Sequence, residues 1–189
     1  LESAHTQAST MSEAHTFMVR RAAVLGAGVM GAQIAAHLVN AGVETTLFEL
    51  AAAGDDPNGN VRKAIDNLRR IEPSPLATKS KADFIRAANY DHHLDRLKEC
   101  DFIIEAISER LDWKTDLYRR VAPYIGADAV FASNTSGLSV NKLSESLPQQ
   151  MRKRFCGVHF FNPPRYMHLV ELVACADTQP AVLDALEKF

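Results

Sequence analysis

A doubly wound, mostly parallel α/β sheet is the fold predicted for this chain, on three observations. Short apolar runs alternate with stretches of helical periodicity, the signature of parallel strands joined by crossover helices. The run Val24-Leu25-Gly26-Ala27-Gly28-Val29-Met30-Gly31 sets G-x-G-x-x-G between an apolar run and a helical pattern, a context that separates a dinucleotide fingerprint from a chance spacing of glycines. Polar residues cluster directly after the later apolar runs, and ligands of such sheets sit beyond the carboxyl ends of the strands.

Residues 22–25 read as a buried strand. Gly26 allows the tight turn, Gly28 lets the backbone approach a pyrophosphate, and Gly31 lets the new helix pack closely on its strand. In residues 30–41, Ile34, Ala35, Leu38 and Val39 recur at helical spacing, and Gly42 is a natural stop. The first turn of this helix, at Val29 and Met30, offers free N–H groups and a positive dipole end to phosphate. A second strand over 43–47 runs into Phe48-Glu49, and an acid at this distance is the expected acceptor for adenosine ribose hydroxyls. The loop 51–60 follows. Val61, Ala64, Ile65, Leu68 and Ile71 then mark one face of an amphipathic helix, with Arg62, Lys63, Arg69 and Arg70 off that face. Pro73 and Pro75 break it. A second helix over 79–88 makes a helical pair, an insertion larger than a simple crossover. Its basic residues form either a solvated face or a cover over the cofactor cleft that meets a phosphorylated substrate.

The alternation then resumes. Residues 100–106 are an almost wholly apolar strand containing Glu105, and 112–124 are helical with Trp113, Leu117, Val121 and Tyr124 facing inward. Residues 129–132 are a buried strand running into Ser133-Asn134-Thr135-Ser136, and 139–147 a helix capped by Ser139 or its neighbours. Two strands, 155–161 and 168–174, flank Asn162-Pro163-Pro164, and 178–189 read as a helix. Residues 105–109, 133–136 and Asn162 lie just past strand ends, so they converge on one rim.

A chain of 189 residues with 47% hydrophobic and 23% charged content is expected to hold one ordinary domain, large enough for a core of its own. Its net charge of −2 argues against a nucleic-acid partner. No apolar run approaches the roughly 20 residues that span a bilayer. Cys100, Cys156 and Cys175 are odd in number and far apart, which suits buried thiols in a reducing, cytoplasmic compartment and suggests neither a disulfide frame nor a metal site. Residues 1–18 are expected to be a disordered tail or an expression remnant, with Met11 as the native start, and 19–189 the NAD-binding domain. Because Phe189 falls inside a predicted helix, the chain is expected to be part of a longer protein.

Over about residues 20–189 the sequence resembles the NAD-binding domain of the L-3-hydroxyacyl-CoA dehydrogenases. The residues that carry the resemblance are Val24 to Gly31, Glu105-Ala106-Ile107-Ser108-Glu109, Ser133-Asn134-Thr135-Ser136, and His159-Phe160-Phe161-Asn162-Pro163 with Glu171 beyond. The form Phe161-Asn162-Pro163-Pro164-Arg165-Tyr166-Met167 looks most like that of long enzymes fused to an enoyl-CoA hydratase module. The resemblance implies a Rossmann-type fold and a step of fatty acid β-oxidation: a (3S)-3-hydroxyacyl-CoA oxidised to the 3-oxoacyl-CoA, with NAD as acceptor.

Oxidising a secondary alcohol requires the hydroxyl proton to leave as hydride departs from the same carbon. An imidazole titrates near working pH, so His159 suits the base. It needs an orienting acceptor on its other nitrogen, and Glu171 is the matching family residue. If 155–161 and 168–174 pair as antiparallel strands about Arg165, positions 159 and 171 fall opposite each other, about 5 Å apart. A histidine on an apolar strand is more often simply buried; Glu171 at the family spacing favours catalysis. Ser136 matches the family serine that hydrogen-bonds the reacting oxygen, and also suits a turn or a helix cap. Glu109, Lys114 and Asn162, with Asn134 of the serine motif, match family positions at the cofactor; Lys114 alternatively is a solvated helix residue paired with Glu109 or Arg110.

Two departures matter. Glu49 stands where an aspartate is more usual, yet an acid there still repels the 2′-phosphate of NADP. The family also uses an asparagine from a helical C-terminal domain that supplies dimer contacts, and residues 1–189 hold neither. The chain is therefore expected to bind NAD as a monomer with an open acyl-CoA cleft and little turnover, its full-length parent being a homo-oligomer. Two alternatives stand beside this: a dehydrogenase of another 3-hydroxy acid, such as a 3-hydroxybutyryl-CoA or a gulonate-type substrate, and a non-catalytic NAD(H)-binding protein.

Overall fold

Alternation inside the strands decides the architecture. In β1 (Arg21–Leu25), Ala22 and Val24 enter one core cluster and Ala23 and Leu25 the other, all four buried. A strand buried on both faces needs cover on both, and each Val or Leu so enclosed contributes roughly 1.5–3 kcal/mol. In this computed structural model, which describes residues 17–189, helices supply that cover. The first cluster is closed by α1 (Val29–Asn40), α2 (Gly59–Leu68) and α6 (Pro180–Lys188). The second is closed by α3 (Leu111–Val121), α4 (Val140–Glu145) and the 3₁₀ turn Leu94–Glu99. A short α5 (Gln149–Arg152) precedes β6. The tail expected over residues 1–18 lies outside the described residues up to residue 16; of its last two residues, Phe17 packs against the core and Met18 is exposed.

The sheet has the strand order β3-β2-β1-β4-β5-β6-β7. With β1 it comprises β2 (Glu44–Glu49), β3 (Ile85–Asn89), β4 (Phe102–Glu105), β5 (Val130–Ser133), β6 (Phe155–Phe160) and β7 (Val170–Ala174). Every pairing is parallel except β6 with β7. Order reverses at β1, between β2 and β4, which opens a crevice beyond the carboxyl ends of these strands. Among the described residues, no helix is long and apolar enough to cross a membrane.

The predicted helical pair is corrected at its second member. Residues 79–84 form a 3₁₀ turn, and Ile85–Asn89 is β3, paired in parallel with β2 from Thr45↔Ile85 to Glu49↔Asn89. Ile85-Arg86-Ala87-Ala88 has good helix formers, but the open edge of β2 offers a full ladder, and pairing overrides local propensity. The excursion is thus a β2–α2–β3 crossover. Ser139 caps α4, its Oγ accepting the Lys142 N–H at 3.4 Å.

Candidate active site

At the glycine turn the main chain has the least freedom. Gly26 follows β1 at φ 105°, and a Cβ there would lie 2.9 Å from the Ala106 carbonyl oxygen. On Gly31 a Cβ would lie 1.9 Å from the Gly26 carbonyl oxygen, so α1 rides against the turn at a separation only glycine allows. On Gly28 a Cβ would meet nothing within 4 Å; that position faces open space. Gly28 is also the N-cap of α1 and makes no side-chain cap hydrogen bond, leaving the N–H groups of the turn at Val29 and Met30 without a capping side chain.

Glu49 ends β2 and ties it to this turn. Its Oε2 accepts the Ala27 N–H at 2.8 Å and its Oε1 the Leu50 N–H at 2.9 Å. Gly26, Gly28 and Glu49 line a cleft of about 400 Å³ together with Tyr90, Ile107 and Trp113. An uncapped helix turn, the open side of Gly28 and a carboxylate at one wall fit the pyrophosphate and ribose of a dinucleotide. Trp113, expected to face inward, is 50% exposed here, with the Arg110 guanidinium 4.4 Å from its ring centre. The inward face of α3 is instead Lys114, Leu117, Tyr118 and Val121; helical phase moves Trp113 to the cleft side.

The far end of the rim holds the histidine. β6 and β7 pair with His159 opposite Glu171, and His159 Nδ1 lies 2.9 Å from Glu171 Oε2. A carboxylate only accepts, so the proton of this bond sits on Nδ1, and in a neutral imidazole the lone pair is then on Nε2. The histidine side chain is 18% exposed and the glutamate 51%; the imidazole is partly enclosed, against Phe161 at 4.6 Å between ring centres. Asn134 Oδ1 accepts the Phe160 N–H at 2.9 Å, joining the end of β5 to the residue after His159. Asn162 is exposed, its Oδ1 3.4 Å from Gln33 Nε2 on α1.

Between these ends runs a charged network. Glu105, wholly buried, accepts from Lys114 Nζ at 2.6 Å and the Ile107 N–H at 2.7 Å on Oε1, and from Tyr118 Oη at 2.7 Å and Ser133 Oγ at 2.8 Å on Oε2. The alternative of a solvated Lys114 is overturned: the side chain is buried, paired first with Glu105 and then with Glu109 Oε2 at 3.5 Å. Glu109 Oε1 accepts from Thr135 Oγ1 and from the backbone N–H groups of Ser136 at 2.9 Å and Gly137 at 2.8 Å. Ser136 itself is exposed. Glu105, Thr135, Trp113 and Tyr90 were not singled out as site residues from the sequence. The signal for Glu105 was a charge closing the apolar run Phe102-Ile103-Ile104, since a buried carboxylate must be paired.

Burial alone would raise the Glu109 carboxyl, but the hydrogen bonds from Thr135, Gly137 and Ser136 and the Lys114 charge hold it down at about 2, from an ordinary 4.5. A depressed carboxyl adds stability that is fully present above about 4.5 and is lost as pH falls towards 2. Thr135→Val removes one donor, so it should cost stability near neutral pH by a margin that shrinks as pH falls through that window. Because the Glu109 side chain is 40% exposed, solvent screening keeps the carboxyl's contribution below about 1 kcal/mol. Urea midpoints against pH measure it; a constant difference down to the acid limit would separate Thr135 from Glu109.

Comparison with known proteins agrees with this fold. Residues 21–189 match the family model of the 3-hydroxyacyl-CoA dehydrogenase NAD-binding domain. A Rickettsia felis protein provisionally named as a fatty acid oxidation complex trifunctional enzyme is 40% identical over 172 residues, covering 90% of this chain and 24% of that protein. A Deinococcus radiodurans protein provisionally named 3-hydroxyacyl-CoA dehydrogenase is 36% identical over 173 residues, covering 90% of this chain and 50% of its own. The crystal structure of the (S)-3-hydroxybutyryl-CoA dehydrogenase PaaH1 from Ralstonia eutropha superposes with a TM-score of 0.75 at 31% identity, over 90% of this chain and 59% of that one. The chain thus spans about a quarter and a half, respectively, of these two curated relatives. With a glycine turn built for a dinucleotide and a matching family model over 21–189, the chain belongs to the family of 3-hydroxyacyl-CoA dehydrogenase NAD-binding domains.

Proposed function

We propose that this domain serves the NAD-dependent oxidation of (3S)-3-hydroxyacyl-CoA to 3-oxoacyl-CoA in fatty acid β-oxidation. The observation that carries this is the His159–Glu171 contact of 2.9 Å at the rim of the sheet. Glu171 holds the Nδ1 proton, and His159 Nε2 takes the proton of the substrate 3-hydroxyl as hydride leaves C3; the cofactor, when bound, supplies the hydride acceptor. The imidazolium that forms is stabilised by the adjacent carboxylate. Ser136 Oγ donates a hydrogen bond to the reacting oxygen. The turn Gly26 to Gly31, with the N–H groups at Val29 and Met30, holds the pyrophosphate, and Glu49 the adenosine ribose. Glu109, Lys114, Asn134 and Asn162 frame the nicotinamide end, Lys114 acting through Glu109.

The second wall of the acyl-CoA cleft belongs to the length that the relatives have beyond this match, along with the contacts that make a homo-oligomer. The 189-residue chain is then a monomer that binds NAD(H) and turns over poorly. Loss of positioning and of a dry site costs several orders of magnitude, about 10³-fold or more, even with base and hydride acceptor in place. Its place is the cytoplasm, where thiols such as Cys100 and Cys156, pushed up to about 12 by burial, stay reduced. The test is NADH consumption with acetoacetyl-CoA and longer 3-oxoacyl-CoA substrates, by the chain alone and joined to the family's C-terminal domain. No turnover by the joined protein would leave only dinucleotide binding; near-native kcat/KM from the chain alone would show that the second domain is dispensable.

Cofactor choice is read from the single tryptophan. Trp113 lines the same cleft as Glu49, so NADH should quench its fluorescence, and NADPH should bind at least about 10-fold more weakly through like-charge repulsion at Glu49. Arg120, the cation in that cleft, is committed to Asp91 and the Tyr90 carbonyl oxygen. Equal affinities would remove Glu49 from the ribose.

A further inference from the structure

Of the charged side chains among the described residues, only Glu105 and Lys114 are buried. Glu105 accepts four hydrogen bonds, two on each oxygen, so its orientation is fixed. Of the three ammonium protons of Lys114, two are directed at Glu105 and the Ile107 carbonyl oxygen, 2.6 and 3.3 Å away. Its distance to Glu109 is longer, 3.5 Å. Glu109 in turn gives its other oxygen to three donors of the turn 135–137. The order of charges is therefore minus, plus, minus, leading from the core to the turn that carries Ser136.

We propose that Glu105 is a positioning residue of the dehydrogenase site: it holds Lys114 back, and so sets Glu109 and the turn bearing Ser136. This rests on the role given above to Ser136. With Glu105 ionised, the lysine is shared between two carboxylates and Glu109 stays on the turn. With that charge removed, Glu109 becomes the sole carboxylate partner of a buried ammonium, and it is drawn towards Nζ and off the backbone of Ser136 and Gly137. A second tie runs the same way: Ser133 Oγ donates to Glu105 and accepts the Thr135 N–H at 3.3 Å. The Asn134 N–H donates to the Glu105 carbonyl oxygen at 2.7 Å. Segment 133–137 thus takes its place from Glu105, through its carboxylate at Ser133 and, by way of Lys114, at Glu109, and through its main chain at Asn134. A well-packed apolar pair would hold β4 to α3 at least as well as a buried ion pair, so stability alone does not account for these charges.

Amide hydrogen exchange on the 189-residue chain tests this without substrate or cofactor. In Glu105→Gln, exchange at Ser136 and Gly137 should accelerate at least 10-fold, while Ile103, Ile104 and Ala132 in the adjoining strands keep their protection. A merely structural role would loosen β4, β5 and the turn together, and that pattern would overturn the proposal, as would unchanged exchange at Ser136 and Gly137. If Glu105→Gln does not fold, Glu105→Gln with Lys114→Met removes both buried charges; with no ammonium left to draw Glu109 away, Ser136 and Gly137 should keep their protection, and selective loosening there would overturn the proposal. In the protein joined to its second domain, the variant should lower kcat at least 10-fold with KM for acyl-CoA within 2-fold. If the unsubstituted joined protein lacks turnover, the dehydrogenase reading fails while the exchange result still decides the role of Glu105.

Discussion

His159→Ala should lower kcat by about 10²–10⁴-fold in a protein that joins this domain to the family's second domain, the range that a positioned general base supplies. NADH affinity should stay within 2-fold, because β6 lies across the sheet from the glycine turn that follows β1. Glu171→Gln keeps the size of the side chain but can turn its amide N–H₂ towards Nδ1, which favours the wrong tautomer. Its loss should be real but smaller, with the larger part in kcat. The pair also makes a coupled claim: once His159 is alanine, Glu171→Gln should cost almost nothing further, since two groups acting as a unit are not additive. Full additivity in kcat/KM would mean that Glu171 acts on something other than the imidazole.

Gly31→Ala is expected to be the most damaging change at the other end. Its Cβ would sit 1.9 Å from the Gly26 carbonyl oxygen, and no side-chain rotation relieves an overlap between two backbones. The helix must move away from the turn, at about 1–3 kcal/mol or more, out of a total stability of roughly 5–15 kcal/mol. At about 2–4 °C per kcal/mol for a domain of this size, Tm should fall by roughly 2–12 °C, and NADH binding should be lost with the geometry of the turn. Gly28→Ala gives the contrast. At φ −69° with nothing within 4 Å, alanine should leave Tm nearly unchanged while weakening NADH binding at least about 10-fold, since its methyl occupies space that a pyrophosphate needs. Equal effects of the two substitutions on Tm would contradict the division of labour between these glycines.

Much of this layout was legible before any coordinates. Gly26, Gly28 and Gly31 carry strong local constraints, and a strand, turn and helix of fixed length follow from them. The opposition of His159 and Glu171 was also readable, because an antiparallel pair about one turn leaves a single register. What escaped depended on partners remote in sequence. β3 exists because β2 left an edge to fill, and nothing within Ile85-Arg86-Ala87-Ala88 says so. With β3 missed, Tyr90 at its end was missed as well. Trp113 was assigned inward because aromatic residues usually are, but α3 spends its inward face on Lys114, and only the position of Glu105 under the rim makes that sensible. A solvated Lys114 stood open as an alternative for the same reason: its buried counter-charge, nine residues earlier, lies on another element.

β7, the strand that brings Glu171 to His159, is also the most exposed strand of the sheet. It lies at the border of the sheet with β6 as its single neighbour, and most of its residues are exposed. The glycine turn, by contrast, grows from β1, buried between β2 and β4. Border strands open at a small fraction of the free energy of global unfolding. Warming should therefore fray the proposed proton-transfer pair first, while the nucleotide end, rooted in the middle of the sheet, persists. On the proposed mechanism, the protein joined to its second domain should fall catalytically silent while still loaded with dinucleotide, and whatever presses against β7 should govern how warm it must be before that happens.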